Sequence, residues 1–264
     1  MKTILLMVHD DPGQEARLRC ALDIVRAVDG HLVCLDLMRL PIVIDAYGPG
    51  GSMATILNGE REREDANVSL LQERLRFHDV SHEWHRAQGE FERALCRAAR
   101  LTDLMILSVK GVAGLADQGD LPARVASMTA TPILVVPQDQ HGFDLRGRAL
   151  VGWDGSAAAA AAIRAAAPLL TLAASVEVLT IRGGDHDADP AEVARYLERR
   201  GCRTTGVDIV ERERDVGAQL CAALGAVGWG VMGSYGQGRL RERIFGGPTW
   251  TLLEGTPVPL LISH

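Results

Sequence analysis

The segment GSYGQGRLRERIFGGPT, residues 233–249, follows the short apolar run Trp229 to Gly233 and leads into a helix-type run, Trp250 to Leu253. Its glycines suit a backbone that bends sharply or lies close to a ligand, because glycine accepts positive φ angles and carries no side chain. A phosphate is bound by converging backbone N–H groups at a helix N-terminus, and Pro248 is compatible with the first turn of such a helix. The order strand, glycine-rich loop, helix therefore predicts an anion-binding turn in an α/β protein.

Apolar runs typical of buried strands recur along the chain in two similar series. The first series comprises Thr3 to His9, His31 to Met38, Ser81 to Ala87, Asp103 to Ser108 and Pro132 to Pro137. The second comprises Arg148 to Trp153, Ser175 to Ile181, Arg203 to Val210, Trp229 to Gly233 and Val258 to Ser263. Val8-His9-Asp10 aligns with Gly152-Trp153-Asp154, and Ile106-Leu107-Ser108 aligns with Val231-Met232-Gly233. The repetition indicates an internal duplication.

This duplication predicts two domains, residues 1–138 and 147–264, joined by the polar stretch Gln138 to Gly147. Strands that alternate with helices imply a parallel sheet covered on both faces, so each domain is expected to be a doubly wound, Rossmann-like α/β unit of five strands. Such sheets bind ligands where the strand order reverses, here after strands one and four of each repeat. We expect the two domains to pair face to face as an intramolecular pseudo-dimer.

The composition excludes several classes of protein. The formal net charge is −6 and no block of lysine or arginine compensates for it, which argues against nucleic-acid binding. No apolar run is long enough to cross a membrane, and the N-terminal run lacks the features of a signal peptide. The five cysteines are scattered and have no Cys-x-x-Cys spacing, which favours buried thiols in a reducing cytoplasm.

The glycine-rich loop resembles that of the universal stress protein family, whose ATP-binding members carry Gly-x2-Gly-x9-Gly-Ser/Thr at this place. Gly233, Gly236 and Gly246 match that spacing. The resemblance extends to Val151-Gly152-Trp153-Asp154-Gly155-Ser156 and to the ending Thr256 to Ile262, so it covers the second half of the chain and, more weakly, the first. It implies a tandem universal stress protein with an adenine nucleotide alpha hydrolase-like fold.

The same resemblance implies a nucleotide site in the C-terminal domain for ATP, accompanied by Mg²⁺. In it, Asp154 would face the ribose or a metal, Ile181 would border the adenine, and Trp153 would either stack on a base or fill the pocket. The complete set implied for nucleotide binding is Gly152, Trp153, Asp154, Ile181, Met232, Gly233, Tyr235, Gly236, Gly246, Gly247, Pro248 and Thr249. It contains no catalytic residues and no protein ligands dedicated to a metal. The family also implies that the last strands, Pro132 to Val136 and Val258 to Ser263, associate across a pseudo-twofold axis.

Two departures from the family pattern concern the phosphate donors. Gly247 stands where a hydroxyl is expected and Pro248 has no N–H; each missing donor costs about 0.5 to 3 kcal/mol of binding. In the first repeat the matching stretch, Ser108 to Asp120, is two residues shorter and places Asp120 where a donor belongs. A carboxylate about 5 Å from a phosphate repels it by roughly 3 kcal/mol at an effective dielectric of 20. We therefore expect the N-terminal domain to have lost nucleotide binding.

Three functions are compatible with the sequence. The first is a cytoplasmic stress-response protein that binds ATP in its C-terminal domain, acts through partner contacts, hydrolyses ATP slowly at most, and forms a homodimer of two-domain chains. The second is a nucleotide-free scaffold or interaction module of the same fold. The third, an adenylating or nucleotide-transferring enzyme, is weakened because no nucleophile with a neighbouring base is evident.

Two further segments have open interpretations. The long stretch Arg39 to Gly59 has no counterpart in the second repeat, and we expect either a lid or partner-docking arm, or an insertion without a role. His78, His82 and His85 lie near Glu83, but alternate residues of a strand point to opposite faces. These histidines are therefore interpreted as solvated strand residues and not as metal ligands.

Overall fold

The computed structural model describes residues 1–38, 51–109, 121–181, 188–210, 215–234, 252–253 and 255–264, except for the side chains of residues 51–58 and 60. The first repeat forms β1 (Thr3–Val8), α1 (Gln14–Val28), β2 (His31–Met38), α2 (Gly51–Arg76), β3 (Ser81–Gln88), α3 (Phe91–Ala98), a 3-10 turn (Ala99–Leu101), β4 (Leu104–Ser108), α4 (Leu121–Met128) and β5 (Ile133–Val136). The second forms β6 (Arg148–Gly152), α5 (Ala157–Leu170), β7 (Ser175–Ile181), α6 (Pro190–Glu198), β8 (Thr204–Val210), α7 (Val216–Leu224), β9 (Trp229–Gly233) and β10 (Leu260–Ser263). Each of the ten predicted strands is present.

The strands make one ten-stranded sheet in the order β3-β2-β1-β4-β5-β10-β9-β6-β7-β8. Strands are parallel within each half, whereas β5 and β10 are antiparallel, with Val135 opposite Leu260 and Ile133 opposite Ile262. The predicted association of the last strands is thus confirmed. The expected face-to-face pairing of the domains is wrong: they join edge to edge, because each terminal strand carries backbone N–H and C=O groups that a neighbouring strand satisfies.

Helices cover both faces of the sheet. One apolar cluster lies under α1, α2, α5 and α6, and a second lies under α3, α4 and α7. Leu6 and Val8 of β1 face the first cluster, as do Ala149 and Val151 of β6, while Leu150 faces the second. The sequence alignment of Val8 with Gly152 is therefore wrong by one residue, since it puts equivalent positions on opposite faces.

The segment between the two domains packs into the core. Phe143 is 4% exposed, and its ring meets that of Trp229 edge to face with centroids 5.4 Å apart. The Phe143 amide donates to Oδ2 of Asp23 on α1 at 2.8 Å, and Leu145 is also buried. The linker is therefore fixed to both domains and is not a free tether.

The insertion of the first repeat is in part helical. Residues 39–50 lie outside the described part of the chain, but α2 begins at Gly51 and continues to Arg76. The expectation of a loop that extends to Gly59 is therefore wrong from Gly51 onward. Among the described residues, no helix combines the length and apolar character needed to cross a membrane.

Candidate functional site

The strand order of the C-terminal domain reverses between β6 and β9, which are parallel neighbours with Val151 opposite Val231. Helix α5, which follows β6, lies on one face of the sheet, whereas Leu252 and Leu253, which follow β9, belong to the cluster on the other face. The described residues that follow the two strands therefore pack on opposite faces of the sheet, and we call the space outside the C-terminal ends of β6 and β9 the β6–β9 crevice. This is the place where doubly wound sheets bind ligands.

The turn Asp154-Gly155-Ser156 delivers the N-terminus of α5 to this crevice. Oδ1 of Asp154 accepts from the amide of Ser156 at 2.9 Å, and Gly155 has a φ of 77°, a left-handed conformation that favours glycine. Oγ of Ser156 then accepts from the amide of Ala159 at 3.0 Å and caps the helix. The Asp-Gly-Ser sequence is thus accounted for by the geometry of the turn, and Asp154 remains an exposed residue at the mouth.

Gly233, the last residue of β9, lies directly against the start of α5. A Cβ atom at this position would overlap the amide nitrogen of Ala159 and come within 2.8 Å of the carbonyl carbon of Ala158. The glycine therefore allows strand and helix backbones to approach, independently of any ligand. By contrast, a Cβ on Gly152 would lie 3.5 Å from the Cβ of Met232, which is an ordinary contact.

The side chain of Trp153 packs mainly in the core and not at the mouth of the β6–β9 crevice. Its amide donates to the carbonyl of Leu179 at 2.8 Å, and its carbonyl accepts from Oγ1 of Thr180 at 2.9 Å. The indole packs against the cluster under α5, and its buried Nε1 has no hydrogen-bond partner among the described residues. Ile181 and Met232 pack against the cluster on the opposite face. The tryptophan therefore does not share a sheet face with these two residues.

The structure places half of the sequence-predicted set at the C-terminal ends of β6, β7 and β9. These residues are Gly152, Trp153, Asp154, Ile181, Met232 and Gly233. The others lie outside the described residues, as does Asp120 of the first repeat; they are Tyr235, Gly236, Gly246, Gly247, Pro248 and Thr249.

The equivalent crevice of the N-terminal domain, between the ends of β1 and β4, contains the side chain of Arg17. This arginine is 0% exposed, and its Nη2 lies 2.7 Å from Oδ2 of Asp11, whose side chain is 1% exposed. Its Nε donates to the carbonyl of Met7 at 3.0 Å, Nη1 to Oγ of Ser108 at 2.7 Å, and Nη2 to the carbonyl of His9 at 3.3 Å. The guanidinium therefore bridges both strand ends and the turn before α1.

Sequence reasoning missed Arg17, although one signal was present. Arg17 is followed by Cys20, Ala21 and Ile24, all buried, at the spacing of one helix face. An arginine in such a stripe indicates either a boundary of the apolar face or a buried cation. In α5 the first six residues, 157–162, are all alanine, and Arg164 is exposed, so no cation of this helix is placed in the second crevice.

Side chains of α2 contact the residues that follow β1 and the first residue of α1. Nδ1 of His9 lies 2.7 Å from Oε1 of Glu64, which also accepts from the amide of Asp10 at 3.1 Å. Asn67 and Gln14 exchange hydrogen bonds of 2.9 and 2.6 Å. Burial opposes ionisation of Glu64, but His9, the Asp10 amide and Asn67 together hold the pKa of this carboxyl below its ordinary value.

The whole chain resembles several solved structures in its fold. No protein-family model and no curated protein matches it. A universal stress protein from Archaeoglobus fulgidus DSM 4304 has a similar structure with a TM-score of 0.78 and 17% identity, over 99% of this chain and 95% of that one. A putative universal stress protein from Pseudomonas aeruginosa UCBPP-PA14 gives a TM-score of 0.64 and 15% identity, over 99% and 92%. A functionally unknown protein from Pseudomonas aeruginosa PAO1 gives 0.64 and 17%, over the same shares.

The duplicated sheet and its two switch-point crevices define a tandem, doubly wound α/β protein. Full-length agreement with the solved structures assigns the particular fold within that class: it is the fold of tandem universal stress proteins.

Proposed function

We propose that the chain is a tandem universal stress protein that binds one ATP, in the crevice between β6 and β9, and acts in a stress response through contacts with partner proteins. The fold supports this proposal, and so does the glycine spacing of residues 233–246. The five free cysteines fit the reducing cytoplasm that the sequence predicts.

The main support for the proposal is a difference between the two crevices. In the N-terminal domain the fourth residue of the first helix is Arg17, whose guanidinium is held by Asp11 and Ser108 inside the crevice. In the C-terminal domain the fourth residue of the corresponding helix is Ala160, and the described strand ends contribute no charged side chain to the crevice except exposed Asp154. Among the described residues, the positive end of α5 therefore faces the β6–β9 crevice with no internal cation beside it, which favours an anionic ligand.

The turn at Asp154 supports a role for Mg²⁺ in the proposed site. The turn uses Oδ1 of Asp154, while Oδ2 has no hydrogen-bond partner in the described part of the chain. A carboxylate oxygen at the mouth is a suitable ligand for Mg²⁺ that is carried by a nucleotide and keeps part of its water shell. We propose that Asp154 would hold a Mg²⁺ ion brought by the nucleotide.

Two observations favour the second candidate, a nucleotide-free scaffold. The close packing of Gly233 against Ala158 and Ala159 explains this glycine without a ligand, and the Asp154 turn likewise explains the Asp-Gly-Ser sequence. Both features would be retained in a protein that had lost its nucleotide. The experiment must therefore test residues whose change leaves this packing intact.

Isothermal titration of the purified full-length chain with ATP and Mg²⁺ tests the proposal. We expect one ATP per chain and a rise in thermal stability, since a ligand at 100 times its Kd stabilises a protein by about 2.7 kcal/mol. Gly236→Asp, in the predicted phosphate loop, should abolish binding. Gly111→Asp, at the matching position of the first repeat, is the control and should bind normally. Failure of the unmodified protein to bind ATP would favour the scaffold.

A further inference from the structure

The two outer edges of the ten-stranded sheet differ in chemistry. Strand β3 ends the sheet on one side and exposes Ser81, Glu83, His85, Arg86 and Gln88. Strand β8 ends it on the other side and exposes two large apolar side chains on one face, Val207 (42%) and Ile209 (49%), while its one exposed charged residue, Asp208, lies on the other face opposite Leu179. Charged residues along a terminal strand prevent further strand pairing, whereas an apolar edge promotes it. Strand β8 is therefore the more receptive edge.

After its first residues, β8 pairs with β7 in a regular register. A register shift follows the pair Val176 and Thr204, after which Gly206 to Val210 pair in parallel with Glu177 to Ile181. In the described part of the chain, no strand pairs with the outer side of β8. Five residues are enough to hydrogen-bond an extended segment, which is the mode called β-strand addition.

The apolar side chains of this edge lie on the face of the sheet that carries α6. Val207 is opposite Val178, which belongs to the cluster under α6. Helix α6 has nine residues, whereas α2, at the same position in the N-terminal domain, has 26. Trp84 of β3 packs against the cluster under α2, but the shorter α6 leaves Val207 and Ile209 partly open to solvent.

A group of arginines adjoins the start of this edge. The turn from α6 to β8 has a left-handed Gly201 (φ 85°), and the amide of Cys202 donates to the carbonyl of Leu197 at 3.0 Å. This turn brings exposed Arg199 and Arg203 to the start of β8. Exposed Arg200 also lies there, with its guanidinium carbon 4.5 Å from the centre of the Tyr196 ring.

These arginines have few internal partners. Within the described residues, neither Arg199 nor Arg203 forms a side-chain hydrogen bond or ion pair, and the nearby Arg195 has one contact of 3.5 Å with Asp189. The local positive charge stands out in a chain whose formal net charge is −6. A surface that combines unpaired guanidinium groups with an open apolar strand is complementary to an extended acidic segment.

We propose that β8 is a docking edge for an extended segment of a partner protein, with apolar side chains at alternate positions and carboxylates next to them. The backbone of the segment would pair with Gly206 to Val210. Its apolar side chains would cover Val207 and Ile209, and its carboxylates would meet Arg199 and Arg203. A second copy of this chain is a poorer occupant, because it presents the same arginines. This proposal is independent of ATP binding.

A labelled peptide tests the proposal with the full-length protein. The probe is Val-Thr-Val-Thr-Val flanked on both sides by three glutamates, and the comparison peptide has lysines in place of the glutamates. Fluorescence anisotropy should show that the acidic peptide binds at least tenfold more tightly. Ile209→Lys and the double variant Arg199→Gln/Arg203→Gln should each weaken it at least tenfold. Both change exposed side chains, and their melting curves will show that the fold is retained.

His85→Lys, at the opposite edge β3, is the matched control and should bind the acidic peptide normally. Equal affinity for the acidic and basic peptides would overturn the proposal, as would binding that Ile209→Lys leaves unchanged. Sedimentation at increasing protein concentration tests the remaining alternative, that a second copy of this chain occupies the β8 edge. Self-association that Ile209→Lys abolishes, without peptide binding, would assign the edge to a second copy and would also overturn the proposal.

Discussion

Oγ of Ser108, at the end of β4, lies 2.7 Å from Nη1 of Arg17 on α1, and both residues are buried. A Cβ atom on Gly13, which precedes this helix, would overlap the same hydroxyl. In the C-terminal domain the glycine at this contact is on the strand and not before the helix: β9 ends in Gly233, and α5 begins with alanines. The two domains thus pack the same strand end against the same helix in different ways, and within the described part of the chain a cation lies there only in the first.

Replacement of Arg17 by methionine should strongly destabilise the protein. It removes the partner of Asp11, whose side chain is 1% exposed, and an uncompensated buried charge costs about 3 to 5 kcal/mol. Urea denaturation measures the loss. Arg19→Ala is the control: Arg19 pairs with Glu15 across exposed side chains, so less than about 1 kcal/mol is expected. Similar losses in both variants would contradict the assignment of Arg17 as a buried structural cation.

Gly233→Ala should lower the free energy of unfolding whether or not ATP is present. The new methyl group overlaps the backbone of Ala159, and overpacking of this kind costs about 1 to 3 kcal/mol. Gly152→Ala, at the end of the neighbouring strand, has room for its methyl and should change stability little. Denaturation curves of both variants, measured without nucleotide, test whether Gly233 is needed for packing. Equal stability of the two would show that Gly233 is not needed for packing.

The sequence predicts the inner strands well because their apolar runs are local and continuous, whereas β3 and β8, also predicted as buried, are largely exposed because they lie at the edges of the sheet. Its failure at the register of the duplication has a physical cause: Ile4 to Val8 are all buried, so the alternation that marks the two faces of a strand is invisible. An alignment of such runs has no internal marker of which face each residue takes. Only the packing against α1 and α5 distinguishes the faces.

The buried Arg17 in the N-terminal crevice could not be predicted from the sequence, for a different reason. The partners of Arg17 come from separate segments, and Ser108 is 91 positions away. The edge-to-edge junction of β5 and β10 is also nonlocal, although the family resemblance correctly selected these strands. A sequence shows which groups need partners; distant contacts determine which partners they obtain.

The free energy of unfolding should depend on pH through the ionisation of Glu64. The pKa of this carboxyl is held below its ordinary value of 4.5, so its ionised form stabilises the fold. That contribution is present above the ordinary value and is lost as the pH falls through the lower value of the folded state. Glu64→Gln should therefore reduce stability at pH 7 and flatten its decline as the pH falls below the ordinary value of 4.5. Glu62→Gln, on the exposed side of α2, is the control, and urea titrations at several pH values are the measurement. Parallel acid profiles for Glu64→Gln and the unmodified protein would refute the role of this carboxylate.

The linker provides a test of how firmly the two domains are joined. Phe143 fills a buried position beside Trp229, while its amide is held by Asp23 of the N-terminal domain. Phe143→Ala should lower the free energy of unfolding by about 3 to 5 kcal/mol, because it leaves a cavity in a core cluster to which both domains contribute. His141→Ala changes an exposed side chain of the same linker and should have little effect. A loss below about 1 kcal/mol for Phe143→Ala would mean that the site collapses without cost. The linker would then contribute little to the junction, leaving the antiparallel pairing of β5 and β10 to hold the domains together.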